Sequence, residues 1–379
     1  MRTAISIVVL TLVIGAGVSH AQAQQRPNAA WPLIQKTCDT TATKAPNTLA
    51  KDIAQRALNE HYLVGGHQID SDGRLFRFGV VEAEQEEDDG GDDKAKLRNL
   101  GWWQVLKYWR SLYGTTASVA NNLEAWGYRG ASTMQVGNKA LTEDDETTAV
   151  QVDVARLLDI ADRVSNDAAK EVLREAAIRA ALIDNAWSAA FISYVIRQAG
   201  VTEKNKFQQS AAHHHYIYDA FATSAAETKN ETDPHLYRAC PIFNTRPRVG
   251  DMVCYQRMPS LAKATDAEVR ERVLSEASAN KPHSVTKTHC DVVVHIDEKA
   301  AKAYVVGGNV QQSVTVKKLR LAGNSLKFSK TQSGMQVGDK IGCADWTLPP
   351  PSSSIPLAPT FNDKCSLNDK KWFVLLQMR

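Results

Sequence analysis

The sequence predicts an α+β fold with helices packed on an antiparallel β-sheet, and two observations carry that expectation. Between Leu49 and about Gln198, apolar residues recur at helical spacing in several separate stretches. From Arg248 onward the pattern changes to short β-branched runs separated by turn residues, as in Met252-Val253-Cys254-Tyr255 and Asp291-Val292-Val293-Val294. Helices first and strands later within one chain argue α+β rather than a strictly alternating βαβ plan. Hydrophobic residues make up 43% of the chain, enough for a substantial core.

Residues 1–23 read as a secretory signal. Arg2 supplies the positive start, Ile5 to Val18 is apolar, and Ala21-Gln22-Ala23 is a small-residue cleavage site. The apolar run is short for a bilayer span of roughly 20 residues, so stable membrane insertion is not expected. The expected location is periplasmic or secreted. Residues 24–48 read as a polar N-terminal arm, 49–180 as a helical part with an acidic loop, and 181–379 as the core carrying the chemistry.

Leu49 to Tyr62 has a helical stripe (Ile53, Ala57, Leu58, Tyr62), stopped at Gly65-Gly66. Leu75 to Val81 is a short strand or turn. Glu82 to Asp93 is dense in acid and reads as a solvated loop; it lacks the ligand spacing of a calcium loop. Leu97 to Tyr113 is an aromatic helix with Trp102, Leu106 and Trp109 on one face, a core stripe by default and a sugar-stacking platform only if exposed. Residues 115–147 look irregular, and Thr148 to Ala181 reads as one or two amphipathic helices. A further helix spans about Trp187 to Gln198, stopped by Gly200. Strands are expected around Met252 to Tyr255, Asp291 to Ile296, Ala303 to Val306, Ser313 to Leu319 and Trp372 to Gln377. Leu348 to Pro359 is Pro/Ser-rich and reads as extended surface chain.

Net charge is +3, or about +2 without Arg2, and there is no long basic run interleaved with aromatics. Nucleic-acid binding therefore has no support. The six cysteines all follow the signal segment. An even count in an exported chain suggests disulfides, and the absence of C-x-x-C spacing argues against zinc. Cys254 and Cys290 fall in strands expected to be close, so they are the expected pair.

Ser188 opens the helix that follows Trp187. There the unpaired N–H groups and the helix dipole favour negative charge, which suits a nucleophile and a developing oxyanion. Serine is also a preferred N-cap, but Asp184 or Asn185 can serve that purpose. The expected base is His289, at the start of the strand that includes Asp291. If Glu298 to Ala301 is a hairpin loop, antiparallel partner numbers sum to about 599, which places Asn309 beside His289 on the neighbouring strand. Asn309 is the expected orienter of the base. Asp291 is the rival, because i and i+2 share a face. His295 reads as packed or surface, and His283 carries no signal in a polar loop. The run His213-His214-His215 invites a metal reading, yet consecutive helical residues point in different directions, so no metal and no cofactor are expected. Ser210 or His213 is expected to line the cleft beside Ser188.

Several of these segments resemble one fold. Trp187-Ser188-Ala189-Ala190-Phe191-Ile192-Ser193 followed by Ala199-Gly200 resembles the nucleophile helix of CHAP-like and NlpC-type papain-fold peptidoglycan hydrolases, which usually have cysteine at the position of Ser188. Gly250-Asp251-Met252-Val253, the strand opened by His289, and Gly307-Gly308-Asn309-Val310 followed by Ser313-Val314 resemble later segments of the same fold, in the same order. From about Leu49 to Arg320 the chain resembles a narrower group of exported bacterial proteins, domain of unknown function 2272, which carry W-S-A-A-F-I-S. The resemblance implies a papain-like domain that hydrolyses an amide bond in peptidoglycan stem peptides. Ser188, His289 and Asn309 would be catalytic, with Trp187, Ser210, His213 and Asp291 lining the substrate site. It equally allows an inactive papain-like module that binds cell-wall peptide or a protein partner.

Overall fold

A computed structural model of the chain describes residues 29–83, 101–126, 151–153, 159–332 and 366–379. The signal segment, most of the acidic loop, the Pro/Ser-rich stretch, Cys343 and Cys365 lie outside them.

The molecule is α+β, with helices against a mixed, largely antiparallel sheet. The segment expected to be a polar arm contains a helix, α1 (Trp31–Ala42), which buries Ile34, Cys38 and Thr41. Those three lie at helical spacing, but the Thr, Lys and Asp residues between them dilute the stripe in sequence. A disulfide from Cys38 to Cys240 ties α1 to the sheet. Helix α2 (Thr48–Val64) is capped by the Asn47 side chain, which accepts from the Ala50 N–H at 2.8 Å. It stops at Gly65, whose φ of 63° is left-handed and suits glycine.

Short strands β1 (Gln68–Ile69) and β2 (Leu75–Arg77) follow. The aromatic helix is α3 (Gly101–Tyr113), and it buries Trp102, Leu106 and Trp109 as a core stripe, which leaves no stacking platform on that face. The stretch expected to be irregular holds α4 (Thr116–Asn122) and β3 (Glu124–Trp126), which pairs with β4 (Gln151–Asp153). Helix α5 (Asp167–Asp184) is capped by Asn166 and leads into α6 (Ser188–Gln198). Two further helices went unanticipated, α7 (His214–Thr228) and α8 (Asp266–Ser278). The second has a complete capping box between Thr265 and Glu268, a signal legible in the sequence.

The strands of the main sheet are β5 (Tyr237–Pro241), β6 (Met252–Gln256), β7 (Thr288–Asp297), β8 (Lys302–Val310), β9 (Ser313–Ala322), β10 (Lys327–Phe328) and β11 (Lys371–Met378), joined by β1 and β2. Their order is β2-β1-β9-β8-β7-β6-β11-β5, with β10 on β9. The last strand therefore inserts between two earlier ones. The β1–β9 pair is parallel, which corrects the expectation of a purely antiparallel sheet. The Gly66-His67 turn brings β1 alongside β9 after α2, so its direction is set by packing rather than by a hairpin.

The β7–β8 hairpin forms in the expected register at its loop end, where His295 pairs with Tyr304 and Asp297 with Lys302. An irregularity between Val293 and His295 then shifts the pairing by one, and Val292 faces Val306. Cys254 and Cys290 pair across β6 and β7 and form the expected disulfide.

Candidate functional site

Helix α6 sits at the centre of the molecule, packed against α2, α3, β7 and β8. Phe191, Ile192, Val195 and Ile196 are fully buried and hold it in place. Its approach to the sheet depends on glycine: a Cβ at Gly308 would lie 2.5 Å from the Phe191 Cβ and 2.8 Å from the Trp187 ring. No side chain caps the helix, and Trp187 occupies the N-cap position. The Ser188 hydroxyl does not cap either. It bonds His213, with Oγ 2.7 Å from Nε2.

His213 immediately precedes α7, and its ring is buried. Its Nδ1 bonds the Tyr216 hydroxyl, one helical turn on. When the Ser188 O–H donates to Nε2, the Nδ1–H donates to Tyr216. Burial first, then the neighbouring His289 and Arg257, hold His213 well below the ordinary histidine range, so the ring is neutral at pH 7. Burial likewise raises the Tyr216 phenol, keeping it protonated.

The His213 ring faces His289 with centroids 5.0 Å apart. His289 is buried and does not hydrogen-bond Ser188; its Nε2 bonds Asp291 Oδ1 at 3.1 Å. Asp291 is fully buried, and Lys317 from β9 donates to its other oxygen at 2.6 Å. Burial opposes ionisation of Asp291, but Lys317 and His289 outweigh it and hold the carboxyl well below the usual range. Burial also depresses His289, against the pull of Asp291. The result is a buried relay, Ser188–His213 in contact with His289–Asp291–Lys317, floored by Tyr255, whose ring lies 5.1 Å from that of His289. Gly307 lies directly over Asp291 and His289, and a Cβ there would overlap the Asp291 carboxylate.

The residues named from sequence fall into place unequally. Ser188, His213, His289 and Asp291 come together. Asn309 does not join them: it is half-buried, has a left-handed φ of 55° near the β8–β9 turn, and makes no hydrogen bond to His289 among the described residues. The β7–β8 pairing ends at Val292 and Val306, and β8 is irregular between Gly307 and Val310, so the orienting contact falls to the strand's own i+2 residue, Asp291. Ser210 organises the turn before α7: its N–H bonds the Ser193 hydroxyl, and its own Oγ accepts from Ala212. Trp187 is buried in an aromatic cluster with Tyr108, 5.5 Å between rings, and donates its indole N–H to Glu82. Glu82, expected to begin a solvated loop, is itself buried. Sequence reasoning missed Tyr216 and Lys317. The i, i+3 spacing from His213 pointed to the first, and a lysine within a β-branched strand pointed to the second.

His214 and His215 turn away from Ser188 and meet His283, the three offering ligand atoms all within 4.8 Å of one another.

The fold and this site define an α+β protein with a buried serine–histidine pair backed by a second histidine and an ion-paired aspartate. The chain belongs to the family described as an uncharacterized protein conserved in bacteria, domain of unknown function 2272, whose profile matches residues 98–378. No curated protein and no solved structure matches it. No helix among the described residues is long and apolar enough to cross a membrane.

Proposed function

We propose that the protein is an exported serine hydrolase of papain-like architecture, cleaving an amide bond in peptidoglycan stem peptides by acyl transfer. The observation that carries this reading is the 2.7 Å contact between Ser188 Oγ and His213 Nε2 at the uncapped start of a buried helix. Neutral His213 accepts the serine proton as Oγ attacks the carbonyl carbon. The first-turn N–H groups of α6 favour the resulting oxyanion. His213 then gives the proton to the leaving amine, and an acyl ester remains on Ser188. Water, deprotonated by His213, hydrolyses that ester and restores the hydroxyl. Tyr216 fixes the ring, and Asp291 offsets the imidazolium charge through His289.

A second assignment of the base has its own support. Asp291 holds His289 through Nε2, and Nδ1 has no hydrogen bond among the described residues, so His289 is placed to serve as base after a shift of His213. The papain-like reading draws on the order of Ser188, Gly250-Asp251 and His289 and on a nucleophile helix packed against the histidine strand. The two disulfides fit an oxidising compartment.

The test is mass spectrometry of peptidoglycan fragments after incubation with mature protein, beside Ser188→Ala, His213→Gln and His289→Gln. New fragments made by the unmodified protein and lost in Ser188→Ala and His213→Gln are expected. Loss in His289→Gln with activity kept in His213→Gln would reassign the base. No cleavage, together with retained binding to peptidoglycan, would replace the hydrolase by a binding module.

A further inference from the structure

We propose that His214, His215 and His283 form a binding site for a first-row divalent transition ion of the zinc class. The proposal stands independently of the hydrolase reading. The sequence argument against a metal concerned three consecutive histidines, and for His213 it holds, since that ring turns inward to Ser188. The third ligand arrives instead from His283, in the loop before β7. The rings of His214 and His215 lie 4.2 Å apart, and each lies within 5.8 Å of the His283 ring. Ligand nitrogens within 4.8 Å of one another need only small side-chain rotations to meet one ion at about 2.1 Å.

Two features mark this as a built site rather than crowded surface imidazoles. The Nδ1 of His214 is buried without a hydrogen-bond partner. The Thr286 backbone lies near that ring but makes no hydrogen bond of normal geometry to Nδ1. The second feature is the support behind His283. Its ring stacks on Tyr218 at 3.7 Å and 14°. The Tyr218 hydroxyl accepts from the N–H groups of Ser284 and Val285 at 3.1 and 3.2 Å and donates to Glu276. Glu276 also accepts from the Ser284 hydroxyl at 2.5 Å. The loop is therefore clamped to α7 and α8 in the orientation that presents His283. Three imidazoles with open positions suit zinc, nickel or copper rather than magnesium or calcium.

The ion would join the start of α7, which follows His213, to the loop that leads into His289. Its expected role is to hold those two histidines in register.

The experiment is calorimetric titration of zinc chloride into mature protein made without a polyhistidine tag and stripped with chelator. Saturable uptake of one ion per chain is expected, weakened at least about tenfold in His215→Ala and in His283→Ala. His295→Ala should bind as the unmodified protein does. Thermal melts in EDTA keep a folding defect separate from a lost ligand, because the variants should then unfold as the stripped parent does. The cobalt-loaded parent should show the visible absorption of nitrogen-ligated cobalt, whatever the variants do. No saturable uptake, no cobalt band, or uptake unchanged in the His215→Ala/His283→Ala double variant would overturn the site, the last marking an adventitious ion only.

Discussion

Replacing Lys317 by methionine removes a charge but preserves most of the side-chain volume, and it probes the buried end of the relay. Lys317 Nζ lies 2.6 Å from Asp291 Oδ2, and the two side chains are 1% and 0% exposed. Deleting one member of such a pair leaves a buried carboxylate short of its cation, at a cost of about 3–5 kcal/mol. The cation also sits 5.4 Å over Trp372 and 5.7 Å over Tyr255, which adds about 1 kcal/mol. The pH dependence follows from the sign of the Asp291 shift. In the parent this carboxyl is held below its unfolded value of about 3.9, so its contribution is present above that pH and fades as pH falls toward the folded value. Without Lys317 burial dominates, the carboxyl moves up, and the folded state binds more protons than the unfolded one just above pH 4. The variant should then lose stability as pH rises. Urea unfolding from pH 4 to pH 8 measures the gap, which should be small at the acid end and reach about 4 kcal/mol at pH 7. A gap below about 1 kcal/mol at pH 7, or one independent of pH, would refute the account of Asp291 as an ion held charged by Lys317.

Other substitutions test the remaining parts. Gly307→Ala places a methyl against Asp291, and a loss of about 1–3 kcal/mol is expected in the same unfolding assay, with activity falling more than stability. Tyr216→Phe removes the partner of His213 Nδ1. It should lower kcat about tenfold with little change in KM, read by release of peptide from peptidoglycan fragments. Replacing both Cys38 and Cys240 by serine frees α1 from β5 across a sequence separation of 202. A stability loss of roughly 2–5 kcal/mol is expected by chemical unfolding.

Much of the frame was legible in the chain. The α6 stripe of Phe191, Ile192, Val195 and Ile196 and its stop at Gly200 announced a buried helix, and Ser188 at its start stood out because flanking residues could cap instead. The strand of His289 and Asp291, the pairing of Cys254 with Cys290 and the hairpin loop at Glu298 to Ala301 were all readable, because each rests on local periodicity or on one turn. Helix α1 was not, since its three inward residues are separated by polar ones and gain their partners 200 residues later. Helices α7 and α8 were hidden by the expectation of a continuous β region.

What local pattern cannot specify is which side chain meets which across elements. The irregularity in β8 between Gly307 and Val310, with Asn309 in a left-handed conformation, breaks the strand pairing on which the expected Asn309–His289 contact rested. The sequence determined that a serine, several histidines and an aspartate stand at helix starts and strand faces. Only the tertiary structure decided that Ser188 bonds His213 and that Lys317 keeps Asp291 charged. The reason is physical: helix and strand periods are set by neighbours a few residues away, whereas these contacts join residues 25 and 26 apart in the chain through the packing of α6, α7 and the sheet.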